Sequence, residues 1–222
     1  MKKVKTELNS EIVKEYGLSA GASVVGIAAS KDFVLAPEGF KPSDNMEECI
    51  SVIVLGTPFP PEALSMSTVK YTELRNAILT KMTGIAKELE KRIKAAGYKA
   101  KAISASGGKT IEGAHFGHIS LKHAAELAGL GHINRNYLLT NDKYGNLLWF
   151  SAVLTDAVLV PDKKAKYKTC DKCNKCVKVC PMGALNNPAS FGKKECAKNF
   201  KIVNGKLEIK CFLCRKVCPH RS

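Results

Sequence analysis

The chain has 222 residues, 45% hydrophobic and 25% charged, with a formal net charge of +15 and nine cysteines. This composition excludes a disordered or collagen-like chain and is enough for a buried core in one medium domain with a small appendage. The opening Met1-Lys2-Lys3-Val4-Lys5 leads into Ser10-Glu11-Ile12-Val13 with no apolar leader, and no run of eighteen apolar residues follows, so neither a secreted nor a membrane-spanning chain is expected. The expected compartment is the cytoplasm, where cysteines bind metal more often than they form disulfides.

In chain order, Ser10 to Tyr16 reads as a short helix closed by Gly17, and Ser23 to Ala29 as a buried, β-branched strand. A long loop runs through Pro37, Gly39 and Pro42. Cys49 to Leu55 reads as the next strand, stopped by Gly56 and Pro58, with Cys49 as a small buried hydrophobe. Leu74, Ile78, Met82, Ile85, Leu89 and Ile93 recur at spacings of three and four, which predicts an amphipathic helix from Val69 to Ala96 ending at Gly97. Lys99 to Ser104 alternates as a strand, Ser120 to Leu127 reads as a helix capped by Ser120, and Leu147 to Leu154 as a strand. Helices alternating with strands predict an α/β or α+β layer fold.

Two glycine-rich stretches invite nucleotide readings. Ser104-Ala105-Ser106-Gly107-Gly108-Lys109-Thr110 ends like a phosphate-binding loop, but Ile103 stands where that pattern needs its first glycine. Gly129-Leu130-Gly131-His132-Ile133-Asn134 begins like a dinucleotide fingerprint, yet it follows a helix and lacks the third glycine. Either stretch could line a pocket through exposed backbone N–H groups, or be an ordinary turn.

Charge and cysteine are unevenly distributed. Residues 1–160 hold nineteen Lys/Arg against sixteen Asp/Glu, a net of +3; residues 161–222 hold sixteen against four, a net of +12, and eight of the nine cysteines. A boundary is therefore expected near Pro161 to Lys168, giving a core domain over 1–160 and a small domain over 161–222. Cys170, Cys173, Cys176 and Cys180-Pro181 have the spacing C-x2-C-x2-C-x3-C-P that ligates a cubane iron–sulfur cluster. The second set is Cys196, Cys211, Cys214 and Cys218-Pro219, its first ligand displaced upstream because Glu208 occupies the regular position. In two-cluster ferredoxins the fourth cysteine of each run serves the other cluster. Applied here, that rule gives one [4Fe–4S] cluster on Cys170, Cys173, Cys176 and Cys218, and another on Cys180, Cys196, Cys211 and Cys214. Two four-cysteine zinc sites are the alternative.

Each cluster with its thiolates carries about −2, which lowers the formal +15 to roughly +11. Lys172, Lys175, Lys178, Lys210, Arg215 and Lys216 surround the cysteines. The remaining positive surface suits an acidic electron donor or a nucleic acid, or is a solvated lysine face with no dedicated partner.

With both regions read, the chain resembles the epoxyqueuosine reductase family and the corrinoid-dependent reductive dehalogenases related to it. The cluster half carries the resemblance through its two Cys-Pro runs and the displaced Cys196. Ala128 to Leu139 is similar to that family's A-G-L-G-W-I-G-K-N-T-L-L segment, Gly145 to Phe150 and Leu154-Thr155-Asp156 to the strand entering its cluster domain, and Cys49 to Leu55 to its core strand. The resemblance implies a nitroreductase-like α/β core over 1–160, followed by a ferredoxin-like two-cluster domain. It also implies a base-off cobalamin against Gly129, Leu130, Gly131, His132, Asn134 and Asn136, reduced through the clusters by a donor of ferredoxin or flavodoxin type.

The departures from the family are specific. The family's D-S-A-P, whose Asp donates a proton, falls at Ser104-Ala105-Ser106-Gly107, where no carboxylate stands; Glu112, His115 and His118 are the nearby groups able to replace it, each with a structural or surface role as the alternative. His132 replaces a tryptophan and reads as a cobalt ligand, a polar pocket wall or a plain hydrogen-bonded histidine. The last cysteine stands four residues from the end, leaving no extension for a large substrate, so the tRNA-modifying activity is not expected to transfer. The leading expectation is a reductase acting on an unidentified small-molecule substrate. The alternatives are an FMN-dependent iron–sulfur reductase and a non-catalytic electron carrier that serves a partner such as a corrinoid protein.

Overall fold

The computed structural model describes residues 5–112, 114–166, 170, 173–203 and 206–221. The first four residues, Tyr167, Lys168 and Lys172, which the sequence reading used, lie outside the described residues.

Helix α1 spans Ser10–Ser19, its first turn held by the Asn9 carboxamide oxygen, which accepts the Ile12 N–H at 3.0 Å. The helix runs through Gly17 instead of closing there. A Cβ at Gly17 would stand 2.8 Å from the Leu55 and Val25 side chains, so this glycine permits close helix–sheet packing. Strand β1 follows at Val24–Ala29. The predicted loop contains a 3-10 turn at Ser30–Asp32 and a short helix, α2 (Pro42–Asn45), whose Asp44 carboxylate accepts the Lys41 N–H at 2.9 Å. Strand β2 spans Ser51–Pro58 and passes through Gly56, where a Cβ would lie 2.5 Å from Val24; this glycine too marks close packing rather than a strand end.

Helix α3 (Thr68–Ala95) is the long amphipathic element expected, starting after the Ser67 hydroxyl, which accepts the Lys70 N–H at 3.4 Å. Strand β3 (Ala100–Ile103) leads into an antiparallel hairpin, β4 (Gly108–Ile111) and β5 (Ala114–Gly117), in the stretch resembling a phosphate loop. Helix α4 is Leu121–Leu127. Ser120 precedes it, but its hydroxyl pairs with His123 Nδ1 at 2.6 Å and makes no backbone cap. A two-residue pairing joins β6 (His132–Ile133) to β7 (Leu139–Thr140), and β8 spans Leu148–Thr155.

The main sheet has the order β1-β2-β8-β3 with every neighbouring pair antiparallel, which settles the layer fold as α+β. Strand β8, last in sequence, lies between β2 and β3. Along β2 every residue but Pro58 is buried, because both faces are covered. Ile53 and Leu55 face Val13, Ile85, Leu89 and Ile93, while Val52 and Val54 face Met82, Ile119, Ala124 and Ala125.

The cysteine-rich part contains α5 (Lys175–Lys178), α6 (Lys193–Ala197), the hairpin of β9 (Phe200–Val203) with β10 (Lys206–Ile209), and α7 (Leu213–Lys216). It is knitted to the core at several points. Asp162 pins the connection, accepting from Ile27 N at 2.9 Å and pairing with Lys14 at 2.5 Å. Ile209 N–H donates to Thr72 on α3 at 3.0 Å, and Asn146 N–H donates to the His220 carbonyl at 2.8 Å.

Candidate metal centres

The two Cys-Pro runs fold alike. After Cys173 and again after Cys211 the chain turns into a one-turn helix, α5 or α7, that carries Cys176 or Cys214. It then closes with an N–H to carbonyl bond, Cys180 to Val177 at 3.1 Å and Cys218 to Arg215 at 3.4 Å. Proline after the last cysteine of each run stops any continuation. The two one-turn helices touch each other, which brings the runs side by side.

Cys170, Cys173, Cys176 and Cys218 line one narrow cavity, with Asn134, Arg135, Asn136, Lys175, Pro219 and His220 in its wall. The Arg135 N–H donates to Cys170 Sγ at 3.3 Å, and the Cys173 N–H to the Cys170 carbonyl at 2.9 Å. Burial pushes the Cys176 thiol up, and its neighbours Cys218 and Cys170 add to the effect. Such N–H to sulfur bonds stabilise thiolate charge and set the potential of a cluster.

The other four cysteines form a second neighbourhood. Burial pushes the Cys196 thiol up, reinforced by Cys211 and Cys180. Burial likewise pushes Cys214 up to about 11, opposed by Arg215 and reinforced by Cys196, Cys211 and Cys176. The Cys214–Cys176 coupling places the two neighbourhoods next to each other. Among the described residues no three metal-ligating side chains converge tightly enough for a single ion.

Glu208, in the slot of the displaced ligand, has a different task. Lys210 at 2.6 Å and then the Thr68 hydroxyl at 2.9 Å hold its carboxylate below the usual range, tying β10 to the start of α3. Cys196 instead arrives on α6, which packs against β5. There the Lys193 ammonium lies 3.9 Å from the Phe116 ring centroid, and Lys194 pairs with Glu112.

Of the cofactor segment, Gly129, Leu130, Gly131, His132 and Asn134 border one cavity of about 70 Å³. Asn136 turns away from it, donating to the Cys214 carbonyl at 3.3 Å and lining the first cysteine cavity. The two glycines answer to protein backbone: a Cβ at Gly129 would stand 2.4 Å from the Lys163 carbonyl, and at Gly131 2.2 Å from that of Thr140. His132 Nδ1 is 3.9 Å from the Glu126 carboxylate. An open groove of about 530 Å³ is rimmed by Ile133, Asn134, Arg135, Tyr137 and Cys170. Where the family has its acid, the Ser104 hydroxyl stands 3.1 Å from Thr83 and 3.3 Å from Ser106.

Sequence reading named Arg215 beside the cysteines but missed Lys122. Arg215 is buried over Trp149, 5.4 Å from its ring centroid, and bonded to the Asn146 carbonyl; Lys122 comes from α4. Arg215 was readable as a neighbour of Cys214, but nothing in the local sequence of α4 marks Lys122.

Fold and cysteine geometry together define an iron–sulfur protein, and residues 166–186 match the family described as a 4Fe-4S binding domain. The chain is related to epoxyqueuosine reductases. It is 29% identical over 114 residues to that of Bacillus subtilis (strain 168), covering 46% of this chain and 29% of the relative. It is 30% identical over 115 residues to that of Listeria monocytogenes, covering 47% and 30%. The matched region thus spans less than a third of these relatives' length. Among solved structures, an epoxyqueuosine reductase with a tRNA-Tyr epoxyqueuosine-modified stem loop superposes with a TM-score of 0.68 at 20% identity, covering 95% of this chain and 64% of that one. A catabolic reductive dehalogenase superposes at 0.62 and 22% identity, covering 90% and 27%. No helix among the described residues is long and apolar enough to cross a membrane.

Proposed function

We propose that this protein is a two-cluster iron–sulfur reductase that receives electrons from a low-potential donor of ferredoxin or flavodoxin type. Cys170, Cys173, Cys176 and Cys218 would hold one [4Fe–4S] cluster, and Cys180, Cys196, Cys211 and Cys214 the other, within a small domain over 161–222. The carrying observation is that Cys218, 42 or more positions beyond the first three, completes the ring around their cavity. When bound, the clusters supply one-electron transfer and a corrinoid supplies the reducing centre.

The cavity bordered by Gly129 to His132 and Asn134 has a volume of about 70 Å³, well short of a small-molecule site. The open groove beside Cys170 is the roomier of the two, and a corrinoid would lie across it with Asn134, Arg135 and Tyr137 at its rim. This chain's own contribution there is to present amide and carbonyl groups and to keep the cofactor edge close to Cys170. The core over 1–160 would be its nitroreductase-like holder.

A second reading, an electron carrier without its own substrate chemistry, is favoured by one observation. No carboxylate stands at 104–107, and Glu112 is engaged with Lys194. Anaerobic purification with iron and sulfide analysis, followed by absorption spectra with hydroxocobalamin and with FMN, separates these readings. About eight irons per chain and a stoichiometric cobalamin spectral change support the corrinoid reductase. Eight irons with neither cofactor bound support the carrier, a flavin shift supports the FMN enzyme, and zinc in place of iron sinks all three. Since one relative was solved with a tRNA stem loop, RNA belongs in the same binding series. Its affinity should fall steeply with salt if the basic segment holds it.

A further inference from the structure

Lys122 stands in the first turn of α4, half-buried between the core and the cysteine-rich part. Its ammonium donates to the Tyr137 carbonyl and lies 5.6 Å from the centroid of Phe191, which in turn stacks on Tyr137 at 5.3 Å. Tyr137 has a φ of 53°, a conformation that a bulky residue holds only where its surroundings fix it. Both neighbours lead to cysteines. Asn136, next to Tyr137, donates to the Cys214 carbonyl, and the Phe191 carbonyl accepts the N–H of Lys193, where α6 and its Cys196 begin.

A lysine held in such surroundings is costly unless an anion faces it. Among the described residues no carboxylate lies within ion-pair distance of Lys122. Burial, then Lys193 and Arg215, push its ammonium down to about 8, while Cys214 and Cys196 act in the opposite direction.

We propose that Lys122 is the counter-charge of the cluster held by Cys180, Cys196, Cys211 and Cys214, and that it raises the reduction potential of that cluster. The inference rests on the two-cluster reading above. A fixed cation favours the more negative, reduced state, so net charge near a cluster moves its potential. The other site is faced by the 134–136 segment and by Lys175, so Lys122 adds a charge at one centre that the other does not share.

The test is an anaerobic redox titration followed by electron paramagnetic resonance, with iron content measured in parallel, on wild type, Lys122→Met and Lys122→Arg. Lys122→Met is expected to keep its iron while the reduced-to-oxidised ratio of one cluster falls about tenfold at fixed potential, equivalent to about 59 mV for one electron. Lys122→Arg should restore most of the shift. Unchanged potentials in an iron-replete Lys122→Met protein would overturn the proposal. Should that variant lose iron, Lys122→Gln, which can still donate to the Tyr137 carbonyl, carries the same expectation and the same refutation. Wild type without two clusters would defeat the cluster reading itself.

Discussion

Cys49 and Cys218 are the same residue type in opposite circumstances. Cys49 is buried, its Sγ 3.4 Å from the Ser51 carbonyl, and burial pushes its thiol up, which suits an inert side chain. Cys218 reaches the cavity of Cys170, Cys173 and Cys176 from the far end of the chain. Cys218→Ala is therefore expected to lower iron from about eight to about four per chain, whereas Cys49→Ala leaves it unchanged. Iron loss from the Cys49 variant, measured colorimetrically on anaerobic protein, would refute the ligand assignment. At this scale the sequence was informative wherever spacing is local. Cysteines two or three residues apart must share a turn, but no local signal marked Lys122.

Among the elements, the glycines of the strands and of the 129–131 turn were the hardest to read. A glycine that ends an element and one that admits a neighbour look identical in sequence. Gly26 is of the second kind: a Cβ there would stand 2.3 Å from the Ala128 carbonyl and 2.9 Å from Leu130, where β1 meets the end of α4. Gly26→Ala must push those segments apart and should cost about 1–3 kcal/mol. Gly84, on the exposed side of α3, has nothing within 4 Å of the same added atom. Gly84→Ala should instead stabilise by roughly 0.8–1 kcal/mol through helix propensity alone. Urea midpoints of the two variants should therefore move in opposite directions; a shared sign would contradict the close approach at Gly26. By contrast α3 was readable almost to its ends, because an apolar stripe at spacings of three and four has few other solutions over 28 residues.

At the scale of the whole molecule, the cysteine-rich part is short of apolar core and leans on contacts such as Ile209 with Thr72 and Asn146 with Arg215 and His220. Ligands that close a metal site contribute folding free energy directly. Removing iron with a chelator under mild oxidation should expose the 173–221 region to proteolysis first, while the sheet of β1, β2, β8 and β3 survives. Uniform cleavage of both parts, followed by mass spectrometry, would show that the core also depends on the clusters. The basic character of this region predicts salt-sensitive association with an acidic donor: affinity should drop as ionic strength passes from about 0.01 to 0.15 M and the Debye length shrinks from about 30 to 8 Å. A salt-independent affinity would place the docking surface elsewhere.

The sequence by itself determined the spacing of the candidate cysteine ligands, the long helix and the concentration of charge after residue 160, since each is written in spacing or composition over a short stretch. Tertiary structure decided the rest. It made β8 a central strand of an antiparallel sheet, gave Gly129 and Gly131 to backbone packing, turned Asn136 toward Cys214, and brought Lys122 from another helix to the cysteines. Covalent geometry fixes what residues a few positions apart can share. Only the packing of whole elements decides which distant side chains meet, and with it which buried charge faces which metal site.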